Sequence, residues 1–234
     1  MIDAVIFDKD GTLFDFRRTW SDWSVRLLDE LSGGNPAMAA ILGQAIGFDP
    51  TRREFAPDSP VIAATPTEIG VVLLPHLPGV TLAELVERMN RLSETVPLAA
   101  AVPLGPLLED LRRRGLRLGL VTNDAERPAR MHLAAAGIAA LFDFVAGFDS
   151  GHGAKPAPGP LLAFARMLGA DPGRMLMIGD SPHDLIAGRA AGMRTLGVLT
   201  GIADSASLAP LAEAVLPDIG HLPPWLDGPG ASAS

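Results

Sequence analysis

The chain has 234 residues, 48% of them apolar, with 19 basic against 27 acidic side chains for a net charge of −8, and it contains neither cysteine nor tyrosine. That length fits one large domain or two modest ones, and the apolar fraction is high enough to form a core and to exclude global disorder. Without cysteine there is no disulfide, thiolate nucleophile or thiolate metal site, and the acidic balance without a basic stripe argues against nucleic acid, so catalysis must rest on oxygen and nitrogen groups.

The first predicted strand is Ile2–Phe7, apolar at both parities as a strand buried on both faces should be. Acid appears at Asp3, before any cationic stretch, so no secretory leader is expected. The most apolar stretch, Val61–Val80, is broken by Glu68, His76 and prolines and falls short of a membrane span. The expected setting is the cytoplasm.

From Phe16 to about Val96 the pattern changes to helical, with stretches at Arg18–Leu31, Ala37–Ile46, Thr67–Leu74 and Leu82–Leu92, no convincing strand, and a Pro-, Asp- and Arg-rich loop over 47–65. An all-helical insertion (16–96) into an α/β core (1–15 and 97–226) accounts for this. Beyond it, strands at Leu116–Val121, Phe144–Ala146, Met175–Ile178 and Thr195–Leu199 alternate with helices at Pro106–Arg114, Arg127–Ala136, Pro158–Leu168 and Leu185–Ala191. Glycine stops follow the helices at Gly115, Gly137, Gly169 and Gly192. The alternation predicts a Rossmann-like parallel sheet with right-handed crossovers and helices on both faces. The small, polar tail 227–234 is expected to be disordered.

Four features fall just beyond strand ends, where chemistry on a parallel sheet sits. Asp8-Lys9-Asp10-Gly11-Thr12 follows the first strand, and Gly11 gives the chain freedom to turn both carboxylates toward one cavity. An Asp-rich strand exit is otherwise a turn or a helix cap. Thr122-Asn123-Asp124 offers a hydroxyl and an amide to an anion, or is an ordinary capped loop. Lys155 lies in a Gly-rich loop and is one of only two lysines in the chain, Lys9 being the other, which suggests that a compact ammonium is wanted there. Asp180 and Asp184, four residues apart at a strand end and a helix start, suit a hard cation such as Mg²⁺, although a helix cap explains one of them.

Taken in order, Asp8-x-Asp10-Gly11-Thr12, Thr122, Lys155 and Gly179-Asp180-x-x-x-Asp184 resemble the four-motif set of the haloacid dehalogenase superfamily, and more narrowly its phosphoglycolate phosphatase-like branch, whose helical cap is inserted after the first motif. The resemblance implies that Asp8 attacks a phosphate monoester, that Asp10 protonates the departing alkoxide and later activates water, and that Thr122, Asn123 and Lys155 bind the phosphoryl group. It further implies Mg²⁺ held by Asp8, Asp10 through its backbone carbonyl and Asp180, with Asp184 either a further ligand or a residue supporting the ligands. Lys9 stands where the family commonly has an apolar residue; a surface lysine facing the cap or solvent is expected, a contact with substrate being the alternative. Arg17, Arg18, Arg52 and Arg53 are candidates for a carboxylate or second anionic group of the substrate. His76 and His132 show no partner pattern and are assigned to structure.

The leading reading is a Mg²⁺-dependent phosphatase for a small phosphorylated metabolite, with phosphoglycolate the first substrate to try. A phosphomutase of the β-phosphoglucomutase type would use the same acids, and a non-catalytic scaffold would be expected to have lost one of them. The sequence does not indicate an oligomeric state.

Overall fold

The structure, a computed structural model, describes residues 2–228. Strand β1 (Ala4–Phe7) is followed by α1 (Phe16–Ser32), α2 (Pro36–Ala45), β2 (Phe48–Asp49), β3 (Glu54–Phe55), α3 (Pro66–Leu73) and α4 (Leu82–Glu94). The chain continues through α5 (Leu104–Arg113), β4 (Arg117–Val121), α6 (Glu126–Ala135), β5 (Phe144–Ala146), α7 (Gly159–Leu168), β6 (Met175–Gly179) and α8 (Pro182–Ala190). It ends with β7 (Arg194–Val198), α9 (Ser205–Leu208), β8 (Ala214–Leu216) and α10 (Leu222–Asp227).

Six strands form one sheet in the order β5-β4-β1-β6-β7-β8, with every pairing parallel. The chain winds from β1 to one side and then returns to the other, so a crevice opens at the carboxyl end of β1, between β4 and β6. Both parities of the strands are buried. Val5, Phe7, Leu176 and Ile178 pack on Leu108 and Leu111 of α5 and Leu133 of α6. Ala4, Ile6, Met175 and Met177 pack on Leu161 and Phe164 of α7 and Ala187 of α8. The expected glycine stops all carry positive φ.

Residues 16–96 have a core of their own, in which Phe16, Trp20, Trp23, Leu27 and Leu28 of α1 meet Leu42, Ile69, Leu73, Leu85 and Met89. Their helices start where the local chemistry dictates: Thr65 with Glu68 and Thr81 with Glu84 form capping boxes ahead of α3 and α4, each cap contributing about 1 kcal/mol. The two connections to the sheet body run side by side, the Asp15 N–H donating to the Ala99 carbonyl (2.8 Å) and the Ala101 N–H to that of Leu13 (2.9 Å).

Three expectations need correction. The insertion is not all-helical, because β2 and β3 form an antiparallel hairpin inside the segment read as loop 47–65. Its turn is set by the Asp49 carboxylate, which accepts from the Thr51 and Arg52 N–H groups (2.8 and 3.1 Å), and by Arg53 at φ 59°. Two-residue strands are too short to display an alternating pattern. The edge strand β8 was likewise too short and too partly buried to be read. Asp227 closes α10 and pairs with Arg114 at 2.7 Å, so the tail does not begin there; residues 229–234 lie outside the described residues. Among the described residues, no helix is long and apolar enough to cross a membrane.

Candidate active site

The chain leaves β1 and turns at once. The Leu13 and Phe14 N–H groups both donate to the Lys9 carbonyl (2.9 and 3.1 Å), which throws Asp8 and Asp10 over the end of the sheet. Gly11 sits at φ 82°, and a Cβ there would stand 2.3 Å from Oδ2 of Asp180, while one on Gly201 would stand 1.7 Å from the same oxygen. Glycine at both positions is what lets two loops close over that carboxyl.

Lys155 organises one half of the crevice. Its Nζ donates to Asp8 Oδ1 (2.5 Å), Asp184 Oδ1 (2.6 Å) and the Val121 carbonyl (2.9 Å), so all three protons are committed. Its loop is held by Asn123, whose Oδ1 accepts from the Lys155 N–H (2.9 Å) while Nδ2 donates to the carbonyls of Lys155 and of Ala63 in the insertion (2.8 Å each). The Asn123 side chain thus clamps two loops together. Thr122 Oγ1 accepts from the Asp124 N–H (3.1 Å) and so retains its own proton to donate.

Burial pushes the Asp8 carboxyl up to about 7, with Asp184 and Asp10 adding to the rise and Lys155 opposing it. Burial also works against the Lys155 ammonium, but the Asp184 and Asp8 charges more than offset it and hold its pKa above the ordinary lysine value. Asp180 is raised well above the carboxylate range by burial, then by the charges of Asp8 and Asp184. The pocket holds more negative charge than its lysines neutralise.

Asp8, Asp180 and Asp184 each bring a carboxylate oxygen into a group whose atoms all lie within 4.8 Å of one another. Asp180 Oδ2 is buried with no partner, and its Oδ1 receives only a long contact from the Thr12 hydroxyl at 3.4 Å. An all-oxygen set with an orphaned carboxylate oxygen fits a hard cation such as Mg²⁺. Asp184 is also the helix cap allowed for by the sequence: its Oδ2 accepts from the Ser181 N–H (3.0 Å) and hydroxyl (2.8 Å) at the start of α8. The Asp10 carboxylate lies outside this group.

Lys9 is not a surface lysine. It is completely buried, with Nζ 2.6 Å from Asp10 Oδ2, 3.2 Å from Asp124 Oδ2, 3.1 Å from His132 Nδ1 and 5.5 Å from the centre of the Trp20 ring. Asp10 and Asp124 outweigh the burial penalty and keep its pKa raised. Burial and the Lys9 charge lower that of His132, so the ring is neutral; Nδ1 accepts from Lys9, and Nε2–H donates to the Ser93 carbonyl at 2.7 Å. The Ser93 hydroxyl closes the loop by donating to Asp124 Oδ2 (3.2 Å). Sequence reasoning placed Lys9 on the surface, assigned His132 to structure, gave Asp124 no role of its own and passed over Ser93. The signal it could have used is that Lys9 is one of only two lysines in this arginine-rich chain, and the structure puts both in the crevice, each between two carboxylates.

A cavity of about 50 Å³ separates the sheet rim from the insertion, room for on the order of four waters. Asp8, Asp10, Thr122, Lys155 and Asp180 line one side, and Trp20, Trp23, Ile69, Met89 and Asn90 the other. The four candidate arginines are not among its lining residues. Arg17 borders an outer cleft beside Lys155, Ser181 and His183. Arg18 is exposed on α1, Arg52 faces Asp49 at 3.9 Å on the hairpin, and Arg53 pairs with Asp22. His76 is half-buried at the end of a short 3₁₀ turn, away from this cavity.

Comparison with known proteins identifies relatives of the whole chain. Phosphoglycolate phosphatase of Rhodospirillum rubrum is 32% identical over 98% of this chain and 92% of its own length. Pyrophosphatase PpaX of Bacillus velezensis is 37% identical, but over only 44% of this chain and 47% of its own length, so the chain spans about half of that relative. The crystal structure of a predicted phosphoglycolate phosphatase from Haemophilus somnus 129pt superposes with a TM-score of 0.75 at 18% identity, covering 95% of this chain and 97% of that one, and so shares the fold. A family model described as haloacid dehalogenase-like hydrolase matches residues 2–192. The chain belongs to the haloacid dehalogenase-like hydrolases.

Proposed function

We propose that this hydrolase is a Mg²⁺-dependent phosphatase that releases inorganic phosphate from a small phosphate monoester, phosphoglycolate being the first candidate, through an aspartyl phosphate on Asp8. The observation that carries the reading is the buried Asp8 carboxylate, held by one oxygen to Lys155 at 2.5 Å and grouped with Asp180 and Asp184. Asp8, Asp180 and Asp184 would hold the metal, with the Asp10 carbonyl as a further ligand. When bound there, Mg²⁺ supplies the positive charge that allows a carboxylate to approach a phosphate dianion.

The chain's own groups account for the remaining steps. Lys155 fixes Oδ1 of Asp8 and leaves the other oxygen to attack phosphorus. As the Asp8–phosphorus bond forms, the bond to the substrate alkoxide breaks, and Asp10 gives that oxygen a proton. Asp10 then takes a proton from water as the water oxygen displaces Asp8 and frees phosphate. The Thr122 hydroxyl donates to the transferring phosphoryl group, and Asn123 keeps the Lys155 loop against the insertion. Segment 16–96 serves as a cap that excludes bulk water. The Rhodospirillum rubrum relative supports phosphoglycolate, and a small, soluble phosphorylated metabolite suits a cytoplasmic setting.

The test is phosphate release from a panel containing phosphoglycolate, pyrophosphate, glycerol phosphate and p-nitrophenyl phosphate. Turnover is expected to vanish in EDTA, to return with Mg²⁺, and to fall on the order of a thousandfold or more in Asp8→Asn. An active Asp8→Asn protein or chelator-resistant turnover would refute the reading.

A further inference from the structure

We propose that Lys9 is a positioning residue for Asp10, holding the carboxylate by Oδ2 so that Oδ1 is left to protonate the leaving oxygen. The inference rests on the phosphatase reading but concerns a residue with no part in the motif set. Asp10 lines the cavity, its Oδ2 lies 2.6 Å from the Lys9 ammonium, and its Oδ1 is buried without a partner. A general acid rotating freely about its side-chain bond would present either oxygen; an ammonium on one of them fixes which remains.

Lys9 is itself held from four directions. Asp124 and Asp10 flank the ammonium, His132 Nδ1 accepts a third hydrogen bond, and the Trp20 ring of the insertion lies 5.5 Å away. Ser93, on the last turn of α4, binds both His132 and Asp124. The pose of Asp10 therefore depends on helices α1 and α4 of the insertion as well as on the sheet. Because both carboxylates converge on one Nζ, an apolar side chain at position 9 would leave two buried acids facing each other and release Asp10 from its orientation.

A positioning role for the proton donor makes a prediction that a general packing role does not. An alkyl alcohol departs poorly without a proton, whereas p-nitrophenolate leaves unaided, and kcat/KM reports only the steps through alcohol departure. In Lys9→Met, kcat/KM should fall on the order of 10- to 100-fold for the alkyl phosphate the enzyme hydrolyses best, yet less than about threefold for p-nitrophenyl phosphate. Asp124→Asn, which loosens the ammonium but keeps it, should shift the same ratio in the same direction by about three- to tenfold.

Equal losses on both substrates, or no loss on either, would overturn the assignment. Should Lys9→Met lack a cooperative melting transition, the Asp124→Asn ratio decides alone. Wild-type protein releasing phosphate from neither substrate would instead defeat the phosphatase reading, so the two failures are distinguishable.

Discussion

The sheet rim and the helical insertion meet across one cavity but are built on different principles. On the rim nearly every polar group is buried and tied down, Lys155 by three acceptors and Asn123 by three hydrogen bonds. The rim's orphaned atoms, among the described residues, are Oδ1 of Asp10 and Oδ2 of Asp180. They belong to the residues assigned the proton and the metal. In the insertion, Thr19, Trp20, Ser24 and Asn90 keep buried polar atoms without partners, and most of the cavity wall is apolar. Unsatisfied atoms on a rigid frame mark where a reagent belongs. On a loosely specified wall they mark tolerance.

This contrast is broken most directly at Asp180. Asp180→Asn is expected to lower phosphate release on the order of a hundredfold or more, since it removes an oxygen from the metal group. At a pH high enough to ionise Asp180, the same change should raise the melting temperature of the EDTA-treated protein, because it removes a charge that burial and the neighbouring Asp8 and Asp184 disfavour. A variant that is inactive and also less stable without metal would show that the rim is not strained in this way. In the insertion, Leu27→Ala should cost about 2–5 kcal/mol by opening a cavity in the core around α1. Hydrogen exchange should then accelerate across 16–96 while β1 and β6 stay protected; uniform loss of protection would mean that the two regions unfold as one.

A pH series sharpens the comparison. Asp8 is raised from 3.8 to about 7 and Asp180 is raised well above 3.8, so their protonated forms stabilise the fold at low pH and that stability is lost as pH rises through the folded values. His132, lowered from 6.5, acts in the opposite sense only below that value. Between about pH 5 and 7 the melting temperature in EDTA should therefore fall, the two raised acids outweighing His132, and Mg²⁺ should flatten the decline. A flat EDTA curve would contradict the raised rim acids. The smallest effect is expected at Arg52, whose side chain is 75% exposed beside Asp49. Arg52→Ala should change kcat/KM less than about twofold, and a larger loss would return the hairpin to the substrate problem.

The rim was largely legible because strand exits concentrate chemistry and the four motif segments keep their order. The acids at 8, 180 and 184 and Lys155 converge as that order implies. Lys9 was not legible from local pattern. A lysine among acids normally reads as solvated, and its burial depends on Asp124, His132 and Trp20, each remote in sequence. The insertion was legible as helices, through periodicity, but not as a cavity wall. Its arginines drew attention by charge, whereas its wall is made by Trp20, Trp23 and Ile69, residues that pattern alone assigns to a core. Hairpin β2–β3 and strand β8 were too short to leave a period.

The side-by-side connections at Leu13–Asp15 and Ala99–Ala101 carry a separate consequence. Since the polypeptide departs from the sheet body and rejoins it through hydrogen-bonded neighbours, a short bridge could replace everything between them without altering strand order. The same junction would accept a foreign lid whose ends lie close together, but Asp10 would keep its pose only if that lid also replaced the contacts that Trp20 and Ser93 make around Lys9, His132 and Asp124.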